Sequence, residues 1–229
     1  MESTKNHPLR LLVAETSDAL EILELHMASF SDPYEPVFFL LFPKEEEREK
    51  GVKRMVDWWL GDPTATYIKV VDTETGKIIA AAKWAIRKEP PTESEMHEKL
   101  TFDWLPDADL SSWGQEVWGF LNEEHTTRSK EGGCCIIDML STHPEHERRG
   151  AGSMLVKWGT DIADNLGMKA FVQGSRRGKP LYERHGFVDK EGWITVPVTE
   201  RHKDRPECGW FNLERPAKAP TIPEAKKAV

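Results

Sequence analysis

The chain is poor in cysteine: 229 residues hold three, and two of them, Cys134 and Cys135, are adjacent. An odd count without a C-x-x-C spacing excludes a disulfide framework and a cysteine-built metal site, and suits a reducing, cytoplasmic setting. Long apolar runs are also missing. No stretch approaches the roughly eighteen consecutive apolar residues of a bilayer-spanning helix, and Met1 to His7 lacks the apolar centre of a secretory signal. A soluble intracellular protein without a membrane partner is expected. Basic charge is short as well, since 31 Lys and Arg against 39 Asp and Glu give a formal charge of -8. That balance argues against nucleic acid as a partner and favours cationic substrates through long-range attraction. What remains is a chain 38% hydrophobic with nine tryptophans, enough for one good core and one large insertion.

Along the chain, Leu9 to Ala14 reads as a strand, and Ser17 or Asp18 caps a helix continuing to Phe30. Pro36 to Pro43 is an aromatic run ending at proline, which predicts a loop or helical turn lying on the core or walling a pocket. Glu45 to Leu60 carries Val52, Met55, Val56, Trp59 and Leu60 at helical spacing, with Gly51 as its weak point. Thr66 to Val71 and Lys77 to Ile86 form a hairpin around Gly76. From Arg87 to Gly133 the periodicity fails apart from a helix over Trp113 to Leu121, so residues 87–133 read as a long insertion. Cys134 to Leu140 is a buried strand, Gly152 to Leu166 a helix stopped by Gly167, and Met168 to Val172 a strand. Lys179 to His185 is a short helix, with His185 at its close, and Phe187 to Val198 a strand pair turning at Glu191-Gly192. One domain over 8–213 is expected, between a flexible stretch 1–7 and a flexible tail 214–229 rich in Pro, Ala, Lys and Glu.

Chemistry concentrates where the buried strand runs into Glu147-Arg148-Arg149-Gly150-Ala151-Gly152-Ser153 and then a helix. A glycine-rich turn at a helix start leaves several N–H groups unpartnered, and the helix dipole adds positive potential there. The dinucleotide fingerprint G-x-G-x-x-G fails because its third glycine position is Leu155. The nucleotide loop G-x-x-x-x-G-K-[ST] fails at the same residue. A pyrophosphate cradle without a lysine or magnesium ligand survives. His143 and His146 lack a third ligand at suitable spacing, so no metal is expected.

These residues resemble the GNAT superfamily of acyl-CoA-dependent N-acetyltransferases, whose signature Q/R-x-x-G-x-G/A is met as Glu147-x-x-Gly150-x-Gly152. Met139-Leu-Ser-Thr-His-Pro144 is similar to the end of the family's fourth strand, and Gly178 to Phe187 to its late G-x-x-x-Y-x-x-x-G-F segment. The resemblance covers about residues 134 to 188, and small fungal members carrying R-R-G-A-G-S are the most similar. Glu147 departs from the signature's first position.

The resemblance implies an α/β (α+β) fold with a central mixed, mostly antiparallel sheet flanked by helices and splayed to admit the cofactor. It implies acetyl-CoA as cosubstrate, held by Leu140, Ser141, Thr142, Arg148, Arg149, Gly150, Ala151, Gly152 and Ser153. It also implies Tyr182 as the acid that protonates the leaving sulfur, and the Leu140 N–H as oxyanion donor. The base is sought among the residues themselves. Asp138 interrupts an apolar strand, so it either serves as base at the cleft or holds a structural hydrogen bond. Trp58, Trp59 and Trp158 read as core, whereas Tyr34, Trp84, Trp104, Trp113 and Trp118 are offered as acceptor-pocket residues. The expected activity is direct acetyl transfer to a small-molecule amine in a ternary complex, by a monomer or homodimer. A protein or peptide N-acetyltransferase and a non-catalytic acyl-CoA sensor are the alternatives.

Overall fold

The computed structural model describes residues 8–96, 99–130 and 132–218. The stretch 1–7 and the tail from 219, both expected to be flexible, lie outside the described residues. The strands are β1 (Leu9–Val13), β2 (Ala65–Asp72), β3 (Ile78–Arg87), β4 (Cys134–Thr142), β5 (Lys169–Gly174), β6 (Val188–Thr195) and β7 (Gly209–Arg215). They form a mixed sheet in the order β1-β2-β3-β4-β5-β7-β6, antiparallel throughout except where β4 runs beside β5. The helices are α1 (Ala19–Ser29), α2 (Pro36–Leu41), α3 (Arg48–Gly61), α4 (Glu93–Met96), α5 (Ala108–Ser129), α6 (Ala151–Leu166) and α7 (Lys179–Arg184). None of them is long and apolar enough to cross a membrane.

The sheet is covered on both faces, so its inner strand β3 reads as an unbroken apolar run, Ile78 to Ala82, rather than an alternating one. On one face α6 packs Leu155, Val156 and Ala163 onto Ile68, Val70, Ala80, Ala82 and Trp84. On the other, Ile22 and Leu23 of α1 meet Phe38, Phe42, Met55, Tyr67 and Ala81. A third cluster joins α5 to the β6–β7 end through Phe102, Trp113, Val117, Val196 and Trp210.

Three expectations change here. The irregular stretch 87–133 is half helix: α5 runs for 22 residues, opened by Asp107, whose carboxylate accepts the Leu110 N–H at 2.7 Å. Residues 188–195 are one strand rather than a pair. The turn at Glu191-Gly192 is a local irregularity, in which Asp189 Oδ1 accepts both N–H groups, and the strand's partner is β7. Glu214 and Arg215 extend β7 instead of opening the tail, since Arg215 is buried and pairs with Asp164 at 2.6 Å.

Candidate active site

β4 and β5 pair for only four residues each, Cys134 to Ile137 against Lys169 to Val172, and then part. Just there β4 carries a bulge: Trp84 faces Ile137 and Lys83 faces Met139, leaving Asp138 as the extra residue. Beyond it, the side of β4 that faced β5 has no strand partner among the described residues, so its main chain is free to bind an extended ligand.

A cavity of about 530 Å³ fills this opening. Leu140, Ser141 and Thr142 form one wall; Arg148, Gly150, Ala151, Gly152 and Ser153 form the second. Ser175, Arg177, Gly178 and Tyr182, with Phe30, Pro33 and Glu35 of the α1–α2 connection, complete it. The cradle's conformation depends on Gly150, which caps α6 at φ 93° without offering a side-chain acceptor. The first N–H groups of α6 therefore remain available to an anion. Arg148 adopts φ 61°, a left-handed conformation costing about 1–2 kcal/mol, which places strain at the ligand-facing turn. Ser153 Oγ lies 3.1 Å from His185 Nε2.

Eight of the nine residues assigned to the cofactor line this cavity, and Arg149 does not. Its guanidinium is turned to Asp72 at 2.8 Å and to His146 Nδ1 at 2.9 Å, joining the cradle to the end of β2. Glu147, the departure from the motif, is neutralised by Arg177 at 2.6 Å. Arg177 also donates to the Asp32 carbonyl at 2.7 Å and thereby ties the α1–α2 connection to the cradle.

Tyr182 stands in the cavity wall, 6% exposed, with its ring centroid 5.9 Å from that of Phe187. Burial pushes its phenol well above the usual range, so the proton stays on oxygen. Asp138, offered as a base, is placed otherwise. Burial would raise its pKa, but Lys83 at 2.8 Å and His125 at 3.4 Å outweigh this and hold the carboxyl far below the ordinary range. It is absent from the cavity lining and belongs to a polar group in which Lys83 also meets Asp62 at 3.3 Å. A carboxylate so strongly held in its charged form is a poor proton acceptor.

Sequence reasoning missed Glu35. Its carboxyl is half-buried in the wall that contains Tyr182, and burial raises its pKa. The available signal was a lone acid between two prolines, Pro33-Tyr-Glu-Pro36, in a segment that must cross the cleft. His26 was missed too: fully buried on α1, its Nδ1 lies 2.6 Å from Ser141 Oγ, anchoring the free part of β4. Burial pushes its pKa down to about 3, so it stays neutral.

Of the acceptor-pocket residues, Trp84 is a correction. It is fully buried beneath α6, donating its indole N–H to the Leu155 carbonyl at 3.2 Å, and touches neither cavity. Trp118 packs with the α5 cluster, while Tyr34, Trp104 and Trp113 line a separate, second cavity. His143, Glu145 and His146 bring potential ligand atoms within 4.8 Å of one another. Both Nδ1 atoms, however, accept hydrogen bonds, from Glu145 N–H and from Arg149, which puts each neutral ring's proton on Nε2 where a metal would need a lone pair.

The cradle, the parted strands and a protonated tyrosine together bear on comparison with known proteins. The profile of the Acetyltransferase (GNAT) family matches residues 20–187. The chain belongs to that family. It has the mixed, mostly antiparallel sheet the resemblance implied. An acetyltransferase of the fungus Stachybotrys chartarum is 24% identical over 132 residues, 56% of this chain and 57% of that protein, so the match spans little more than half of the relative. A Drosophila melanogaster polyamine N-acetyltransferase that forms N-acetylagmatine shares the fold, with TM-score 0.64 and 15% identity over 90% of this chain and 99% of that one. So does an acetyltransferase of Clostridium acetobutylicum solved with acetyl-CoA, with TM-score 0.51 and 15% identity over 86% of this chain and all of that one.

Proposed function

We propose that the chain moves the acetyl group of acetyl-CoA directly to the amine of a small molecule, in the cytoplasm and in a ternary complex. The observation that carries this reading is one cavity joining an uncapped helix start, an unpaired strand edge, and a wall that holds both a protonated tyrosine and a carboxyl of raised pKa. The cradle fits a pyrophosphate because its donors are main-chain N–H groups and Arg148, with Glu147 already neutralised by Arg177. The free main chain of Leu140 to Thr142 suits the amides of a pantetheine arm. When bound, acetyl-CoA supplies an activated thioester.

The residues of the chain then divide the proton work. Glu35 takes a proton from the amine, and burial, by raising its pKa, makes it a stronger base than a solvated carboxylate. Tyr182 holds a proton for the departing sulfur. The Leu140 N–H is the donor to the oxygen on which charge develops. A non-catalytic sensor has no use for a phenol that keeps its proton and a carboxyl of raised pKa in one wall, which favours catalysis. Mixing the protein with acetyl-CoA and a panel of primary amines, and following free thiol together with acetylated amine, tests the reading. Equal amounts of both products are expected. Tight acetyl-CoA binding without thiol release from any amine leaves only the sensor, and absence of binding removes the cofactor assignment.

A further inference from the structure

The second cavity, about 760 Å³, is separated from the first by the segment 33–36: Pro33 and Glu35 line the cradle side, Tyr34 and Pro36 the other. Its floor is apolar, with Phe39, Leu40, Leu105 and Trp113 all buried. At its rim the rings of Tyr34 and Phe39 are stacked, with centroids 5.0 Å apart and planes parallel to within 1°. Lys44 Nζ stands 4.6 Å from the Phe39 centroid and 5.6 Å from that of Tyr34. Among the described residues that ammonium has no carboxylate partner, and the rim acids Glu45 and Asp103 have no cation. A flexible, exposed lysine therefore occupies an aromatic cation platform while nearby carboxylates stay unpaired. Two walls of the cavity come from α2 and from the stretch 103–113 leading into α5, so the cavity depends on the insertion.

We infer that this cavity receives the far end of the acceptor, which is therefore an amine with an apolar body and a second cationic group. The inference rests on the acetyltransferase reading, because it takes the reacting amine to lie across the partition beside Glu35. The second cation displaces Lys44 from the Tyr34–Phe39 pair and gains Glu45 and Asp103 as counter-charges. The apolar body covers Trp104 and Leu105. An amine without the far cation leaves Lys44 in place and forgoes these contacts.

Calorimetric binding of cadaverine and of pentylamine to the full chain, with CoA present so that no turnover occurs, separates the two cases. Cadaverine is expected to bind about fivefold more tightly, the upper value of one exposed cation–aromatic contact. Tyr34→Ala should bring the two amines within about twofold, and Lys44→Met should tighten cadaverine severalfold with CoA affinity unchanged. Equal affinities in the unmodified protein, or a preference that survives Tyr34→Ala in a variant that still binds CoA, overturns the inference. Thiol release is scored apart. Its absence with the binding preference intact removes the acetyltransferase reading alone, and turnover without preference removes this inference alone.

Discussion

At the scale of single residues, environment separates two groups in the site from a carboxyl outside it. Glu35 and Tyr182 are both raised by burial, while Asp138 is lowered because Lys83 and His125 outweigh its burial. If Glu35 is the base, activity falls as pH drops through its pKa, which lies above the ordinary 4.5. Glu35→Gln should then lower kcat/KM by about 10²–10⁴-fold and flatten that acidic limb, with CoA affinity kept. A pH–rate profile that retains the limb in the variant excludes the role. Asp138→Asn should leave the limb and cost stability, about 1–3 kcal/mol, because Lys83 keeps only Asp62 at 3.3 Å. The sign follows from its depressed pKa. The stabilisation by Asp138 is present above the unfolded value near 3.9 and is lost as pH falls through the folded one, so acid melting of the variant should be shallower below about pH 4. Scanning calorimetry across that range checks it.

At the scale of elements, the seat of α6 decides whether the cradle points into the cavity. Gly159 lets the helix lie flat on Trp84, since a Cβ there would stand 2.2 Å from the indole. Gly159→Ala would gain up to about 1 kcal/mol of helix propensity. It would also force apart a contact that cannot yield, because Trp84 is fully buried with its N–H held by Leu155. Overpacking of this kind costs about 1–3 kcal/mol. A fall in Tm of about 3–10 °C is expected, and a rise would mean that α6 does not sit on Trp84. The same elements show what was legible in the sequence. α6, β4 and the β2–β3 hairpin were read from apolar spacing and turn residues, because each buries a regular pattern. α5 was missed over most of its length because its buried residues include Gly114, Thr126 and Ser129, which carry no apolar stripe. Trp84 was misplaced because an indole on a strand reads the same whether a helix or a ligand covers it.

At the scale of the whole molecule, the cradle was legible because a motif states it locally, whereas the rest of the site is assembled across the chain. Glu35, Leu140, Arg177 and Tyr182 meet only once β4 and β5 part, and no local spacing records that meeting. Binding should accordingly tie distant parts together, since the cavity draws on the α1–α2 connection, β4, α6 and α7 at once. A ligand at about a hundred times its dissociation constant stabilises the native state by about 2.7 kcal/mol. For a chain of this size that raises Tm by about 5–10 °C. Acetyl-CoA should produce that rise, and NAD and ATP at equal concentration should not, because the cradle lacks both nucleotide fingerprints. Gly150→Asp should abolish the rise: its side chain brings a negative charge to the mouth of the cradle and a conformation at φ 93° that only glycine adopts freely. The space around Gly150 is open, so the variant itself should fold with a modest loss of stability, and the missing ligand shift can be read against an intact melting transition. An unchanged shift in that variant would place the acyl-CoA site elsewhere on the molecule.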